Sequence, residues 1–196
     1  MSRYDNHQLV FLDTETGGFQ VDQNLLEFAC VATDITSREV REEWSVKVLP
    51  EFPERLTARA AMVNGYDEEV WQEEAVPLSE AVRRMAETID GRPSILVGHN
   101  VSFDWRFIAD AAMRSKWQCS SVEGLIDTLW MAKQLPGVEK HNLESLCTEF
   151  GLAPPAYHRA LEDTRTCRLV YQELRRRGVK PRLSAVEQWW AGRAIA

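Results

Sequence analysis

The chain has 196 residues, a formal net charge of -7, and 44% hydrophobic residues. This length and apolar content suit one compact domain with a sizeable core, and they exclude a disordered or fibrous protein. The negative charge argues against a protein that coats nucleic acid through a broad basic field. No apolar run approaches the roughly 20 residues that cross a bilayer, so we expect a cytoplasmic protein with no membrane partner.

The four cysteines lie at spacings that form neither a CxxC pair nor a zinc-finger pattern. Cys30, Cys147 and Cys167 occur in apolar, periodic stretches, which predicts buried thiols in the core. Cys119 lies in a polar stretch, which predicts an exposed side chain. Free thiols of this kind fit a reducing compartment.

Short apolar runs predict five strands, at His7–Asp13, Leu25–Ile35, Val40–Leu49, Ser94–Gly98 and Val122–Ile126. The short polar link between the second and third runs favours an antiparallel hairpin. Later strands alternate with helices. The pattern predicts the α/β class, with a mixed five-stranded sheet, made of an antiparallel meander plus parallel strands, flanked by helices.

Capping residues and amphipathic spacing predict the helices. They begin after Thr57, Asp127 and Asn142, and span Leu78–Ile89, Ser102–Trp117, Ala160–Arg176 and Leu183–Ala191. Glycines stop three of them. Residues 1–180 are expected to form one domain, with residues 181–196 as a C-terminal helix or tail packed on it.

The first chemical motif follows the first apolar run, where Asp13 and Glu15 precede two glycines. In an extended chain, positions i and i+2 point to one side, so both carboxylates can face one site. A solvated strand end followed by a turn is the alternative. Charges directly after a buried strand favour a functional role.

The second motif, Gly98 to Asp104, joins a buried strand to a helix. Asp104 falls in the first turn of that helix. It can serve a site at the strand end, or it can complement the helix dipole while Ser102 caps the helix.

The third motif combines His158 and Asp163. A spacing of five is awkward on one helix, so we place His158 in the loop that follows two prolines and Asp163 on the helix. The alternative is an exposed histidine and a surface aspartate.

Together the motifs supply four carboxylates and a histidine, each at a strand or helix end. Hard oxygen ligands of this kind suit Mg²⁺ or Mn²⁺. Carboxylates packed side by side ionise together only with cations present, and two metal ions can clamp the attacking and leaving oxygens of a phosphodiester. A histidine with a pKa near neutrality is a suitable general base for the attacking water.

The ordered motifs Asp-x-Glu, His-Asn-x-x-Phe-Asp and His-x-x-x-x-Asp resemble those of the DEDDh 3′-5′ exonucleases, which include the polymerase epsilon proofreading subunit, RNase T and exonuclease X. The likeness covers His7 to Tyr171. It implies an RNase H-like fold and a two-metal exonuclease that releases mononucleotides from nucleic-acid 3′ ends. Single-stranded DNA is the favoured substrate, with RNA 3′-end trimming as an alternative.

The resemblance also implies residue roles. The predicted metal ligands are Asp13, Glu15, Asp104 and Asp163, and His158 activates water. The predicted substrate-binding residues are Thr14, Thr16, Phe19, Asn64, His99, Asn100 and Phe103. Phe19 matches a base-stacking aromatic of the RNase T branch, whereas Val63 stands where that branch has a second aromatic.

Two C-terminal features remain open. Trp189 and Trp190 can pack on the domain, or they can form a homodimer or polymerase docking surface, so a proofreading accessory module is a further alternative. The arginines 175–177 either end a solvated helix or contact a nucleic-acid backbone.

Overall fold

The structure is a computed structural model that describes residues 6–36, 38–153 and 159–186. Within these ranges, six strands form one sheet: β1 (Gln8–Thr16), β2 (Leu25–Asp34), β3 (Val40–Lys47), β4 (Ser94–Gly98), β5 (Val122–Asp127) and β6 (Leu183–Ser184). Their order is β3-β2-β1-β4-β5-β6. The first three strands form an antiparallel meander, and β1, β4 and β5 are parallel. The predicted mixed sheet is confirmed, with β6 as an added sixth strand.

Seven α-helices lie in the same part of the chain. They are α1 (Ala58–Asn64), α2 (Glu68–Glu74), α3 (Leu78–Ile89), α4 (Val101–Arg114), α5 (Thr128–Ala132), α6 (Leu143–Phe150) and α7 (Ala160–Arg176). The predicted caps are confirmed at Thr57, Asp127 and Asn142. Their side chains accept hydrogen bonds from backbone N–H groups in the first turn of each helix. Helix α2, which the sequence analysis did not predict, is capped by Asp67 in the same way. No described helix is long and apolar enough to cross a membrane.

The alternation of side chains along β1 divides the core into two layers. Val10 and Leu12 pack with residues of α3 and α4, whereas Leu9 and Phe11 pack with residues of α7. Successive strand residues point to opposite faces of a sheet. The same alternation, continued along β1, turns Asp13 toward the α7 layer and Thr14 toward the α4 layer.

Strand β1 extends beyond its parallel neighbour. Its pairing with β4 ends at Phe11, while its antiparallel pairing with β2 continues to Thr16. The sequence predicted an end at Asp13 because the apolar run stops at Leu12, but the ladder with β2 holds three more residues in extended form. Asp13 and Glu15 therefore stand on a strand that has no β4 partner beside them, next to the turn into α4.

The C-terminal region corrects one prediction. Leu183 and Ser184 pair with Ile126 and Leu125 of β5, so the predicted helix Leu183–Ala191 does not begin at Leu183. Gly124 permits this pairing, since a Cβ there would lie 2.6 Å from Leu183 Cδ1. Residues 187–191 of the predicted helix, which include Trp189 and Trp190, lie outside the described residues.

The cysteine predictions are confirmed at three positions and wrong at one. Cys30, Cys147 and Cys167 are buried free thiols, as expected. Cys119 is also buried, with 5% of its surface exposed, because its polar segment folds back onto the core layer of α3 and α4.

Candidate active site

Three carboxylates from two elements meet at the open end of β1. Asp13, Glu15 and Asp163 each place an oxygen within 4.8 Å of the other two. The first two share a face of β1 through their i, i+2 spacing, and Asp163 lies in the first turn of α7, which packs on that face. The carboxylates of the first and third sequence motifs thus lie together in space.

Asp104 joins the cluster from the other side of the sheet. Its Oδ1 accepts hydrogen bonds from the Thr14 backbone N–H at 3.0 Å and from the Thr14 hydroxyl at 2.8 Å. The side chain is buried, with 4% of the residue exposed. Since Thr14 follows Asp13 directly, these bonds place Asp104 beside the cluster.

Burial and mutual repulsion raise the pKa of these acids. Burial raises the pKa of Asp13 well above its usual value, and the negative charges of Asp104, Glu15 and Asp163 add to the rise. Burial and the nearby Asp163 raise the pKa of Glu15 to about 8. Burial raises the pKa of Asp104 to about 7 against the lowering effect of the Thr14 hydrogen bonds. The site therefore disfavours four negative charges unless a cation offsets them.

The donor set fits a hard divalent cation. The cluster offers carboxylate oxygens from Asp13, Glu15 and Asp163, which are the ligands that Mg²⁺ and Mn²⁺ prefer. The raised pKa values indicate electrostatic strain that a bound cation relieves. Among the described residues, this site contains no cluster of cysteine thiols or histidines, which are ligands that zinc prefers.

The glycine turn that follows β1 is hydrogen-bonded to the start of helix α1. A Cβ at Gly17 would collide with the Gln23 carbonyl oxygen, so the close backbone approach requires glycine. The Gly17 carbonyl accepts the Thr57 N–H at 2.9 Å and the Thr57 hydroxyl at 3.1 Å. Asn64 donates from Nδ2 to the Thr16 carbonyl at 3.1 Å. Both ends of α1 are thereby fixed against the end of β1.

A cavity of about 210 Å³ lies between α1, the glycine turn and α4. Five of the predicted substrate-binding residues line it: Thr14, Thr16, Phe19, Asn64 and Phe103. Glu15 also lines it, so the cavity is continuous with the carboxylate cluster. Phe19 is 73% exposed, and its ring meets the Phe103 ring edge-on at 6.3 Å between centroids. We call this cavity the slot.

The structure does not place the other two predicted substrate-binding residues in the slot lining. His99 is held by the Thr128 hydroxyl, 3.0 Å from its Nδ1, and burial lowers the pKa of His99 to about 4. Asn100 is exposed in a left-handed conformation (φ 69°), and its backbone N–H donates to Asp127 at 3.1 Å. These contacts connect the start of α4 to the start of α5.

His158, the predicted general base, lies outside the described residues, so its position relative to Asp163 stays a prediction. Arg159, the next residue, is described and precedes α7. Burial raises the pKa of Glu15 and of Glu27, and the positive charge of Arg159 opposes this rise, so its guanidinium group lies near both acids.

Sequence reasoning missed Glu27 as a neighbour of the site. Glu27 pairs with Glu15 across the β1–β2 ladder, is 8% exposed, and raises the pKa of Glu15. Its proximity depends on strand register, which the sequence alone did not give. The available signal was a lone acid in the apolar run of β2.

The chain is similar in sequence to a family of known exonucleases and to polymerase III proteins. Residues 10–171 match the RNase_T family model, described as "Exonuclease". DNA polymerase III PolC-type of Thermotoga petrophila is 29% identical over 87% of this chain and 12% of that protein. DNA polymerase III subunit epsilon of Treponema pallidum is 29% identical over 79% of this chain and 70% of that protein. The chain thus spans a small part of the first of these relatives.

Solved structures share the fold. Exonuclease I from Methylocaldum szegediense superposes with a TM-score of 0.74 and 20% identity over 87% of this chain and 40% of that one. Escherichia coli Exonuclease I in complex with a dT13 oligonucleotide gives a TM-score of 0.72 and 18% identity over 88% of this chain and 42% of that one. The chain belongs to the DEDD exonuclease family, as its motifs predicted.

Proposed function

We propose that this protein is a divalent-metal-dependent 3′-to-5′ exonuclease that releases mononucleotides from the 3′ ends of single-stranded DNA. The observation that carries the proposal is the carboxylate cluster of Asp13, Glu15 and Asp163, of which Glu15 also lines the slot. A terminal nucleoside in the slot lies beside the cluster, which leaves its 5′ phosphate at the carboxylates. This placement of the terminal nucleoside and its 5′ phosphate predicts that nucleotides are removed from the 3′ end.

The carboxylates hold two Mg²⁺ or Mn²⁺ ions in the proposed mechanism. Asp13, Glu15 and Asp163 would hold one ion, and Asp13 together with Asp104, directly or through water, would hold the other. When bound, the ions supply positive charge that offsets the carboxylates and stabilises the phosphodiester oxygens as charge develops on them. Thr14 keeps Asp104 oriented through its two hydrogen bonds. His158 takes a proton from the attacking water, as the family resemblance implies.

In this proposal, the side chains that line the slot determine which substrate binds. Phe19 and Phe103 present aromatic surface to a base, which tolerates any base identity. Asn64 fixes α1 as the opposite wall through its bond to Thr16. Single-stranded DNA is preferred in the proposal because the structural relatives include Exonuclease I bound to dT13 and the sequence relatives are named DNA polymerase III.

The deciding experiment uses oligonucleotides labelled at either end. Single-stranded DNA, duplex DNA and RNA of one sequence are incubated with Mg²⁺, Mn²⁺ or EDTA. With a 5′ label, the proposal predicts a ladder of products shortened from the 3′ end. With a 3′ label, it predicts labelled mononucleotide from the first time point. Activity in EDTA, or 5′-terminal products, contradicts the proposal, and faster RNA cleavage reassigns it to 3′-end trimming of RNA.

Proofreading beside a polymerase is a second candidate, favoured by the relatives that are named polymerase III subunits. It predicts faster removal of a mismatched 3′ nucleotide than of a matched one on a primer-template duplex. The proposed homodimer or polymerase docking through Trp189 and Trp190 stays a prediction, since both lie outside the described residues.

A further inference from the structure

Two arginines at the slot lack acidic partners. Arg59 on α1 lines the slot, and Arg106 on α4 stacks on the Phe103 ring, with its Cζ 5.5 Å from the ring centroid. Both residues are exposed, and neither forms an ion pair with any described residue.

Other arginines of the same region are paired. Arg114, on the last turn of α4, pairs with Asp110 at 2.9 Å and with Glu51. Arg55, just before α1, pairs with Asp22 at 3.4 Å and with Glu54 at 3.7 Å. The chain carries a net charge of -7, so acids are plentiful. Free guanidinium groups on both helices of the slot are therefore available for an anion from outside the protein.

The proposed function supplies one anion for this place, the backbone of the substrate strand. Arg59 and Arg106 lie on α1 and α4, the two helices that flank the slot, so a strand that crosses these helices on its way to the slot passes both guanidinium groups. Arg59 lies one helical turn before Val63 on the slot side of α1, and Arg106 lies one turn after Phe103 on α4. Stacking on Phe103 also orders the Arg106 side chain, which reduces the entropy lost on binding.

We propose that Arg59 and Arg106 bind phosphates of the nucleotides that precede the terminal one, so that they grip the strand without taking part in cleavage. This proposal rests on the proposed function, and it names the part of the substrate that the chain recognises beyond the reacting nucleotide. The two arginines explain how an acidic protein holds a polyanion. They make the affinity for a strand depend on its length and on salt.

The test compares a strand with a substrate that has no preceding phosphates. The p-nitrophenyl ester of thymidine 5′-monophosphate offers one nucleotide to the slot and the carboxylates. The variants are Arg59→Ala, Arg106→Ala and the double substitution. Arg176→Ala is the control, because Arg176 is already paired with Glu173 at 2.7 Å and its loss makes the same charge change about 20 Å away along α7 from Asp163.

The double variant should raise KM for a ten-nucleotide strand by roughly tenfold at low salt. It should raise KM for the ester much less than KM for the strand, because the ester has no preceding phosphate, and Arg176→Ala should leave KM for both substrates near that of the parent. Two lost phosphate contacts should also flatten the slope of log KM against log salt by about 1.4. The variants Arg59→Lys and Arg106→Lys should restore most of the affinity, since the contact is with charge.

Binding provides a readout that is independent of cleavage. In a background of Asp13→Asn with Asp163→Asn, anisotropy of a 5′-labelled strand should show the same loss of affinity for the arginine variants. An unchanged Kd for the strand overturns the inference, as does an equal loss of activity on the ester and the strand. If the parent protein hydrolyses neither the ester nor the strand, but the arginine variants still bind the strand more weakly, the proposed function is refuted and this inference stands.

Discussion

Thr14 donates two hydrogen bonds to a single oxygen of Asp104, one from its backbone at 3.0 Å and one from its hydroxyl at 2.8 Å. The pair connects strand β1 to helix α4 in a buried setting. Hydrogen bonds to a carboxylate favour its ionised form, and here they oppose the burial that raises the pKa of Asp104 to about 7. Thr14 thus helps to keep Asp104 charged and oriented beside Asp13.

Thr14→Val tests this relationship because it removes the hydroxyl and keeps the shape of the side chain. The pKa of Asp104 should rise further, and nucleotide release at pH 7 should fall by roughly tenfold, as expected for losing one hydrogen bond to a charged group. A pH-rate profile from pH 6 to 9 should show activity returning at higher pH. Thr14→Ser keeps the hydroxyl and should behave as the parent. Equal pH-rate profiles for the Thr14→Val and Thr14→Ser variants would show that the Thr14 hydroxyl does not influence Asp104.

Asp13→Asn and Asp163→Asn should each reduce cleavage by more than tenfold at saturating metal, because each removes a ligand of the proposed ions. The fold should survive. Relief of repulsion should keep or raise the melting temperature of the metal-free variants relative to the parent. Calorimetry of parent and variants in EDTA, and then in Mg²⁺, checks both effects. If Mg²⁺ raises the melting temperature of a variant as much as that of the parent, the residue replaced in that variant is not a metal ligand.

The stability of the metal-free protein should depend on pH through Glu15. Its pKa in the folded protein is about 8, above the usual value of 4.5, so the unfolded chain loses this proton more readily. The contribution to stability is fully present below about pH 4.5 and is lost as the pH rises through about 8. Melting temperatures in EDTA should therefore fall between pH 5 and pH 9.

Glu15→Gln is the matched control for that titration, since it removes the ionisable group and keeps the shape. Its melting temperature in EDTA should vary less with pH than that of the parent. Adding Mg²⁺ should stabilise the parent more at pH 8 than at pH 6, because ions compete with protons for the carboxylates. Identical pH dependence in parent and variant would contradict the assignment to Glu15.

The fold was largely predictable because its signals are local. The apolar runs gave the five main strands, and single residues such as Thr57 and Asn142 located helix starts. The features that the sequence did not reveal depend on tertiary contacts. Strand β6 exists because Gly124 leaves room for Leu183 at the edge of β5, and no local pattern encodes that pairing.

The residues of the site also fall into those that local spacing predicts and those that depend on tertiary contacts. The i, i+2 spacing of Asp13 and Glu15 placed both acids on one face, which needs only strand geometry. The meeting with Asp163 required the family resemblance, since it depends on how α7 packs against β1. Glu27 and the pair Arg59 and Arg106 could not be assigned beforehand, because only strand register and the presence or absence of ion pairs reveal their surroundings.

His158→Ala should lower turnover by roughly 10²–10⁴-fold, the range for losing a general base. His158 is not proposed as a ligand, so the stabilisation by Mg²⁺ should stay close to that of the parent. Single-turnover rates measure the chemical step, and melting temperatures with and without Mg²⁺ measure binding. Normal turnover with weakened metal stabilisation would reverse the role assigned to this histidine.

Phe19 should determine the preference for single strands. Its ring is 73% exposed and stands edge-on to Phe103 in the wall of the slot. Stacking of a base on such a ring contributes about 1–3 kcal/mol, and it does so for any base. A base in a duplex must unpair before it enters the slot, which costs a few kcal/mol. Frayed or mismatched ends should therefore be cut faster than matched ends.

Phe19→Ala should raise KM for single strands and reduce the ratio of single-strand to duplex cleavage, while the dependence on Mg²⁺ concentration stays near that of the parent. Phe19→Trp keeps an aromatic face and should retain the preference. Met113→Ala removes an exposed apolar side chain at the far end of α4 and serves as the control. Initial rates on a strand, its blunt duplex and a duplex with a mismatched 3′ nucleotide supply the comparison. An alanine variant with an unchanged ratio would mean that another surface distinguishes single strands from duplex DNA.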